Sequence, residues 1–184
     1  MTDQDNRIEL KVQEISRIES KGEQYIVLLK ERRGLRRMPL PVSKHEVEEL
    51  LKVMNLEPSR HGVWAQVFKE LTGGLDIILE DAVITEVIHG HYVAELHFLQ
   101  YGLTTTVRTN AIQALILTLS QRSPFYIDKQ LMEKQYVRLD DVHKVSLPLN
   151  TLSIQMLEDA LQTAIKEERY ELASHLRDEL KRRK

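Results

Sequence analysis

Cysteine is absent from the chain. That removes disulfides, thiolate metal sites and a cysteine nucleophile together, and it fits a cytoplasmic protein. Proline (5 residues) and glycine (7 residues) are sparse, so each break between elements carries information. Neither sign of charge dominates, since 26 basic and 28 acidic residues leave a formal net charge of −2. Such a chain has no global pull on nucleic acid or on an anionic membrane, so either contact would need a local patch. No apolar run approaches the roughly 20 residues that cross a bilayer, and no membrane partner is expected. The opening MTDQDNRIEL lacks the basic and apolar segments of a signal peptide. Glycine-rich phosphate loops, Gly-x-Ser-x-Gly and His-Glu-x-x-His are missing too.

What is present is a core. Hydrophobic residues make up 42% and charged residues 29% of 184 positions, enough for one ordinary domain and a small appendage. The centre is the stretch 107–127, VRTNAIQALILTLSQRSPFYI. Ile112, Leu115, Ile116 and Leu119 fall at i, i+3, i+4 and i+7, the spacing of one helix face. Ala111, Ala114 and Leu117 make that helix apolar on nearly all sides, which predicts enclosure by other elements. Asn110 suits its N-cap, and Gln113 is placed to bond back. Ser123-Pro124 ends it, and Phe125-Tyr126-Ile127 reads as a short inner strand.

Around this centre, Arg7–Glu14, Tyr25–Leu29 and Leu35–Val42 read as strands. Ser43 and Glu46 form a capping box before the stripe Val47, Leu50, Leu51, Met54. Val63, Trp64, Val67, Phe68 and Leu71 set a second helix that ends at Gly73-Gly74. Leu75–Ile88 reads as one long strand or two short ones, His89-Gly90-His91 as a hairpin turn, and Tyr92–Leu99 as the returning strand. Neither alternation is clean along that return. Thr104–Arg108 is a β-prone approach to the central helix, and Asp128 caps a short helix through Lys134. Strands in antiparallel pairs between helices predict an α+β fold with a mixed sheet, not a doubly wound parallel one.

The tail differs in character. Leu157, Ala160, Leu161, Ala164 and Ile165 make one helical stripe, and Tyr170, Leu172, Ala173, Leu176 and Leu180 a second. Glu167-Glu168-Arg169 allows only a tight connection, so Thr151–Lys184 reads as an αα-hairpin. A unit below about 40 residues rarely holds itself together. Its stripe must rest on its own domain, a second copy or another protein.

Several side chains invite chemistry. Glu46 and His61 could form an acid–base pair if two helix starts converge, although Glu46 also serves the capping box. Arg32, Arg33, Arg36 and Arg37, with Lys30, flank a turn at Gly34 and could grip phosphates or could be a solvated hairpin tip. Aromatic residues, at 5% of the chain, form no stacking platform beside that run. His89, His91 and His97 lie on one hairpin, but spacing dictates no further ligands, so no metal site is expected there.

The segment LEDALQTAIKEERYELASHLRDELKRR, 157–183, resembles the UVR motif of the excision-repair proteins UvrB and UvrC, above all through Leu176-Arg177-Asp178. The resemblance implies protein binding, including to other UVR hairpins. Tyr170, Leu172, Leu176 and Leu180 would form the contact face, and Arg177 and Asp178 would be orienting charges. The region from about Ile8 to Leu139 resembles the bifunctional nuclease family, through Arg37-Met38-Pro39-Leu40, Glu46, Arg60-His61, Pro124–Ile127 and Leu131–Lys134. That family is credited with metal-assisted cleavage of DNA and RNA. Its strongest motif, Arg-(Pro/Thr)-Ser-Asp-Ala, falls at the start of the central helix. Here Gln113 or Ala111 stands at the aspartate, depending on register, and Asn110 stands at the arginine in the first register. The family's His-Asp pair has become His61-Gly62.

The resemblance thus implies a nuclease-like domain over 1–140, a connector over 141–150 and a UVR hairpin over 151–184. Two acids able to hold a divalent ion are missing. The expected function is a catalytically degenerate family member that binds proteins through the hairpin and needs no cofactor. The alternative is an active nuclease using Mg²⁺ or Mn²⁺, with ligands drawn from Glu46, Asp76, Glu80 or Asp81. Nucleic acid remains a candidate partner through the basic run. A homo-oligomer, such as a dimer, is expected because sheet edges and the hairpin stripe both need cover.

Overall fold

The computed structural model describes residues 6–20, 22–54, 64–136, 149–152 and 154–183. Among them the strands are β1 (Arg7–Ser20), β2 (Gly22–Glu31), β3 (Arg37–Ser43), β4 (Ile78–Ile88), β5 (His91–Gln100), β6 (Leu103–Asn110) and β7 (Phe125–Asp128). The helices are α1 (Lys44–Met54), α2 (Trp64–Gly74), α3 (Ala111–Gln121), α4 (Lys129–Gln135), α5 (Ile154–Lys166) and α6 (Tyr170–Arg183).

The seven strands form one sheet in the order β3-β2-β1-β7-β4-β5-β6. Two antiparallel meanders, β1-β2-β3 and β4-β5-β6, are joined through β7. β7 is antiparallel to β1 and parallel to β4, the one parallel pairing among the described strands. The fold is therefore α+β with a mixed sheet and a helical hairpin at the end, as the sequence implies. β7 has only 4 residues, yet Ile127 is fully buried, because the chain enters the sheet at its middle.

β1 runs past Glu14 to Ser20, longer than its alternation suggests. As an interior strand it serves two neighbours: Arg7–Glu9 pair with β7, and Leu10–Ser20 pair with β2, with a bulge between Val12 and Glu14. On β5 the question of alternation resolves cleanly. Tyr92, Ala94, Leu96 and Phe98 face the core, and His97 therefore faces away from it.

α3 lies across the helix side of the sheet with α1 and α2 beside it. Every residue from Ala111 to Leu117 except Gln113 is buried, so the all-round apolar pattern has its physical counterpart. α1 buries Val47 and Leu50 but leaves Leu51 and Met54 about 40% exposed. α2 keeps the expected period, and Trp64 and Phe68 of its stripe pack against the core, but the inward face is rotated. Its small residues Ala65 and Thr72 are buried, and Ser120 Oγ donates to the Ala65 carbonyl at 3.3 Å. Small side chains bring α2 close to α3, and Val67 and Leu71 are left outward, each more than half exposed. The helix also runs through Gly73-Gly74 before it stops.

The tail makes its own core. Leu152, Leu157, Ala164, Ala173, Leu176 and Leu180 form a cluster separate from that of the main domain. A single 3-10 turn over Leu149–Thr151 leads into it.

Candidate functional site

The start of α3 is where the elements converge. Asn110 Oδ1 accepts from the backbone N–H of Gln113 at 2.9 Å, in the extended backbone conformation of an N-cap. At the neighbouring start of α1, Glu46 Oε2 accepts from the backbone N–H and the hydroxyl of Ser43, both at 2.7 Å, and the Glu46 N–H donates to Ser43 Oγ. That is the reciprocal capping box the sequence proposes. Both helix starts open on a cavity of about 300 Å³. Its walls include Tyr25, Glu46, His91, Tyr92, Asn110 and Met156, so the main domain and the tail both contribute. Tyr92 is buried, its hydroxyl donates to Gln135 Oε1 at 3.1 Å, and burial pushes its phenol well above the usual range.

Glu46 Oε2 and Asn110 Oδ1 serve helix ends, and His89 and His91 are exposed on the β4–β5 turn. Among the described residues, no three His, Asp or Glu side chains gather closely enough to hold a metal. Of the other proposed ligands, Asp76 sits exposed in the turn after α2 with φ +53°, and Glu80 is exposed on β4. Asp81 is engaged elsewhere: its carboxylate lies 2.5 Å from His97 Nδ1 and accepts from Arg7 at 3.3 Å, on the sheet face away from the helices. His61 lies outside the described residues, so its convergence with Glu46 is not part of this geometry.

The basic turn is a network of ion pairs. Arg36 donates to both carboxylate oxygens of Glu31, at 2.9 and 2.8 Å, and also to Glu133. Arg32 pairs with Glu9 at 2.7 Å, and Arg37 donates to Gln13, the bulge residue of β1, at 2.8 Å. The Arg36 hydrogen bonds hold the Glu31 carboxyl below its ordinary value. Arg33 is exposed. Gly34 makes room for this network, since a Cβ there would stand 1.9 Å from Glu31 Oε2.

In the tail the proposed contact residues divide into two sets. Leu176 and Leu180, expected on the apolar contact face, are buried in the hairpin's own core. The reason is that α5 and α6 need those leucines to close on each other. Tyr170 (68% exposed) and Leu172 lie exposed on opposite flanks of α6, and Ile165 is exposed at the end of α5. Arg177 is exposed and donates to Asp178 at 3.1 Å and to Ser174 at 3.2 Å.

One residue the sequence gives no hint of anchors the tail. Arg183 donates to the carbonyl oxygens of Leu149, at 3.0 Å, and Leu152, and to Glu179 at 2.7 Å. It packs over Gly90 in the β4–β5 turn, where a Cβ would come within 2.7 Å of its guanidinium. Gly90 also has φ +88°, so the turn and the contact both require glycine. No spacing rule links residues so far apart in the chain.

An α+β domain with a mixed sheet, closed by a C-terminal helical hairpin, is the class that fold and site define together. Within that class the assignment is direct. The pattern of the bifunctional nuclease domain matches residues 27–140, and that of the UvrB/UvrC motif matches residues 152–183. The chain belongs to the bifunctional nuclease domain family and carries a UVR motif behind that domain. No curated protein matches it. None of the described helices is long and apolar enough to cross a membrane.

Proposed function

We propose that this protein is a catalytically degenerate member of its family that acts in the cytoplasm as a protein-interaction module. The nuclease-like domain is the scaffold, and the UVR hairpin is the contact. One observation carries this reading: at the mouth of α3, where the family's acidic motif would stand, the amide of Asn110 caps the helix, and the neighbouring Glu46 already turns its Oε2 to the start of α1. A metal-dependent cleavage needs carboxylates free to clamp a hard cation. The hairpin meanwhile closes its own core and still exposes Ile165, Tyr170 and Leu172. Tyr170 and Arg177, seven residues apart, share one flank of α6, and exposed tyrosine and arginine are the residue types that binding hot spots favour.

The partner these features favour is another helical hairpin of the same kind, met through the outer face of α6. The test is a quantitative pull-down with the full chain as bait, comparing the unaltered protein with a Tyr170→Ala, Leu172→Glu variant. The reading expects specific partners to be lost, with the circular dichroism spectrum unchanged. An identical set of partners would sink it.

A second reading, an active nuclease using Mg²⁺ or Mn²⁺, draws on family membership itself. Contact with nucleic acid through Arg32, Arg33, Arg36 and Arg37 is weakened as a reading, because acids already answer Arg32 and Arg36.

A further inference from the structure

The two edges of the sheet are built differently. β3, at one edge, carries Pro39 and Pro41, which withhold backbone donors and discourage further pairing. β6, at the other edge, reads LTTTVRTN, without proline or lysine. Its one charge, Arg108, is answered by Glu86 on β4. Among the described residues no backbone hydrogen bond reaches its outer side. Six of its eight residues from Leu103 onward are exposed without a break, and Leu103 is 74% exposed. Beside it runs an apolar groove of about 260 Å³, walled by Phe68, Leu71, Leu75, Phe98 and Val107. An unguarded edge next to an uncovered groove is a surface made for pairing.

The sequence of that edge says with what. Leu103-Thr104-Thr105-Thr106-Val107 is a palindrome by residue type: an aliphatic residue, three threonines, an aliphatic residue. In an antiparallel pair, residues directly opposite share a face of the sheet. A two-fold axis through Thr105 sets Leu103 against Val107 of a second copy, and Val107 against its Leu103. It sets Thr104 against Thr106 and Thr105 against itself. Thr105 and Val107 line the groove, so Leu103, in phase with them, lies on the helix side as well. Both apolar pairs therefore form over the grooves. An axis between two residues would turn the helices of the second copy to the opposite face. An axis through Thr106 would set both aliphatic residues against threonines.

We propose that β6 is a homodimer interface. Two copies pair antiparallel about Thr105 and continue the sheet across the axis, and Leu103 of each copy covers the other's groove. A closed two-fold contact of this kind uses one self-complementary patch. It is independent of any partner bound by the UVR hairpin.

The test uses the full chain and its mass by sedimentation equilibrium. The unaltered protein should sediment as a dimer. Thr105→Lys alone and Thr105→Glu alone each bring like charges together at the axis and should weaken the dimer by at least about tenfold. Mixing the two variants should restore it, because opposite charges then meet. The chain has no cysteine, so Thr105→Cys offers a second reading. It should form an interchain disulfide under mild oxidation, whereas Leu35→Cys, also highly exposed, should not. A monomer at every concentration would overturn the proposal, and so would a dimer indifferent to charge at Thr105 or variants whose mixture stays monomeric.

Discussion

Replacing Asn110 by alanine removes one hydrogen bond at the mouth of α3 and nothing else of comparable weight. The Gln113 N–H loses the acceptor now 2.9 Å away. Loss of a good N-cap costs about 1 kcal/mol, within a range of about 0.5–2. The bond is exposed, so water can replace the lost acceptor in part. The lower half of that range therefore applies, about 0.5–1 kcal/mol. For a chain of this length each kcal/mol moves the melting point by about 2–4 °C. Asn110→Asp keeps the acceptor and adds negative charge at the positive end of the helix dipole, so it should match the unaltered protein or exceed it by about 0.3–1 kcal/mol. Thermal unfolding followed by circular dichroism at neutral pH measures both. Equal melting points for Asn110→Ala and the unaltered protein would refute the assignment of this side chain to helix capping.

Other expectations follow from the same geometry. Leu176→Ala should cost about 2–5 kcal/mol, as deletions from packed cores do, and should expose the hairpin to limited trypsin digestion. Tyr170→Ala, on the outside, should leave stability within about 0.5 kcal/mol while weakening partner capture. Gly90→Ala places a Cβ against Arg183 at positive φ, so hydrogen exchange should show faster opening where the tail meets the β4–β5 turn. Glu31 titrates below its ordinary value of 4.5 in the folded chain because Arg36 hydrogen-bonds its charged form. A lowered folded value means the pair's stabilisation is present above the unfolded value and fades as pH falls through the folded one. Urea midpoints of Arg36→Met should thus lie below those of the unaltered protein at neutral pH and converge with them in acid.

Local signals carried much of the architecture. The helix at 111–121 announces itself because period, cap and stop all agree, and its surroundings enclose it as an all-apolar helix requires. The capping box at Ser43 and Glu46 is equally local, four residues closing on themselves. What periodicity could not say is which face of a helix would meet its neighbour. α2 turns Ala65 and Thr72 inward because close approach to α3 outweighs the larger area of Val67 and Leu71. In the hairpin, one stripe was asked to close the pair and to meet a partner, and Leu176 and Leu180 went to the first task. The basic run looked available because its counterions, Glu9 and Glu133, come from distant parts of the chain. The cavity at the mouth of α3 draws on strands, turns and the tail together, so no window of sequence contains it.

The central claim is that the mouth of α3 holds the fold and does not cut nucleic acid. Purified protein, with Mg²⁺ or Mn²⁺ and end-labelled DNA or RNA, tests it most directly. The account predicts no cleavage above the level of a heat-inactivated control. Cleavage that requires the metal and disappears in Glu46→Ala or Asp81→Asn would contradict it.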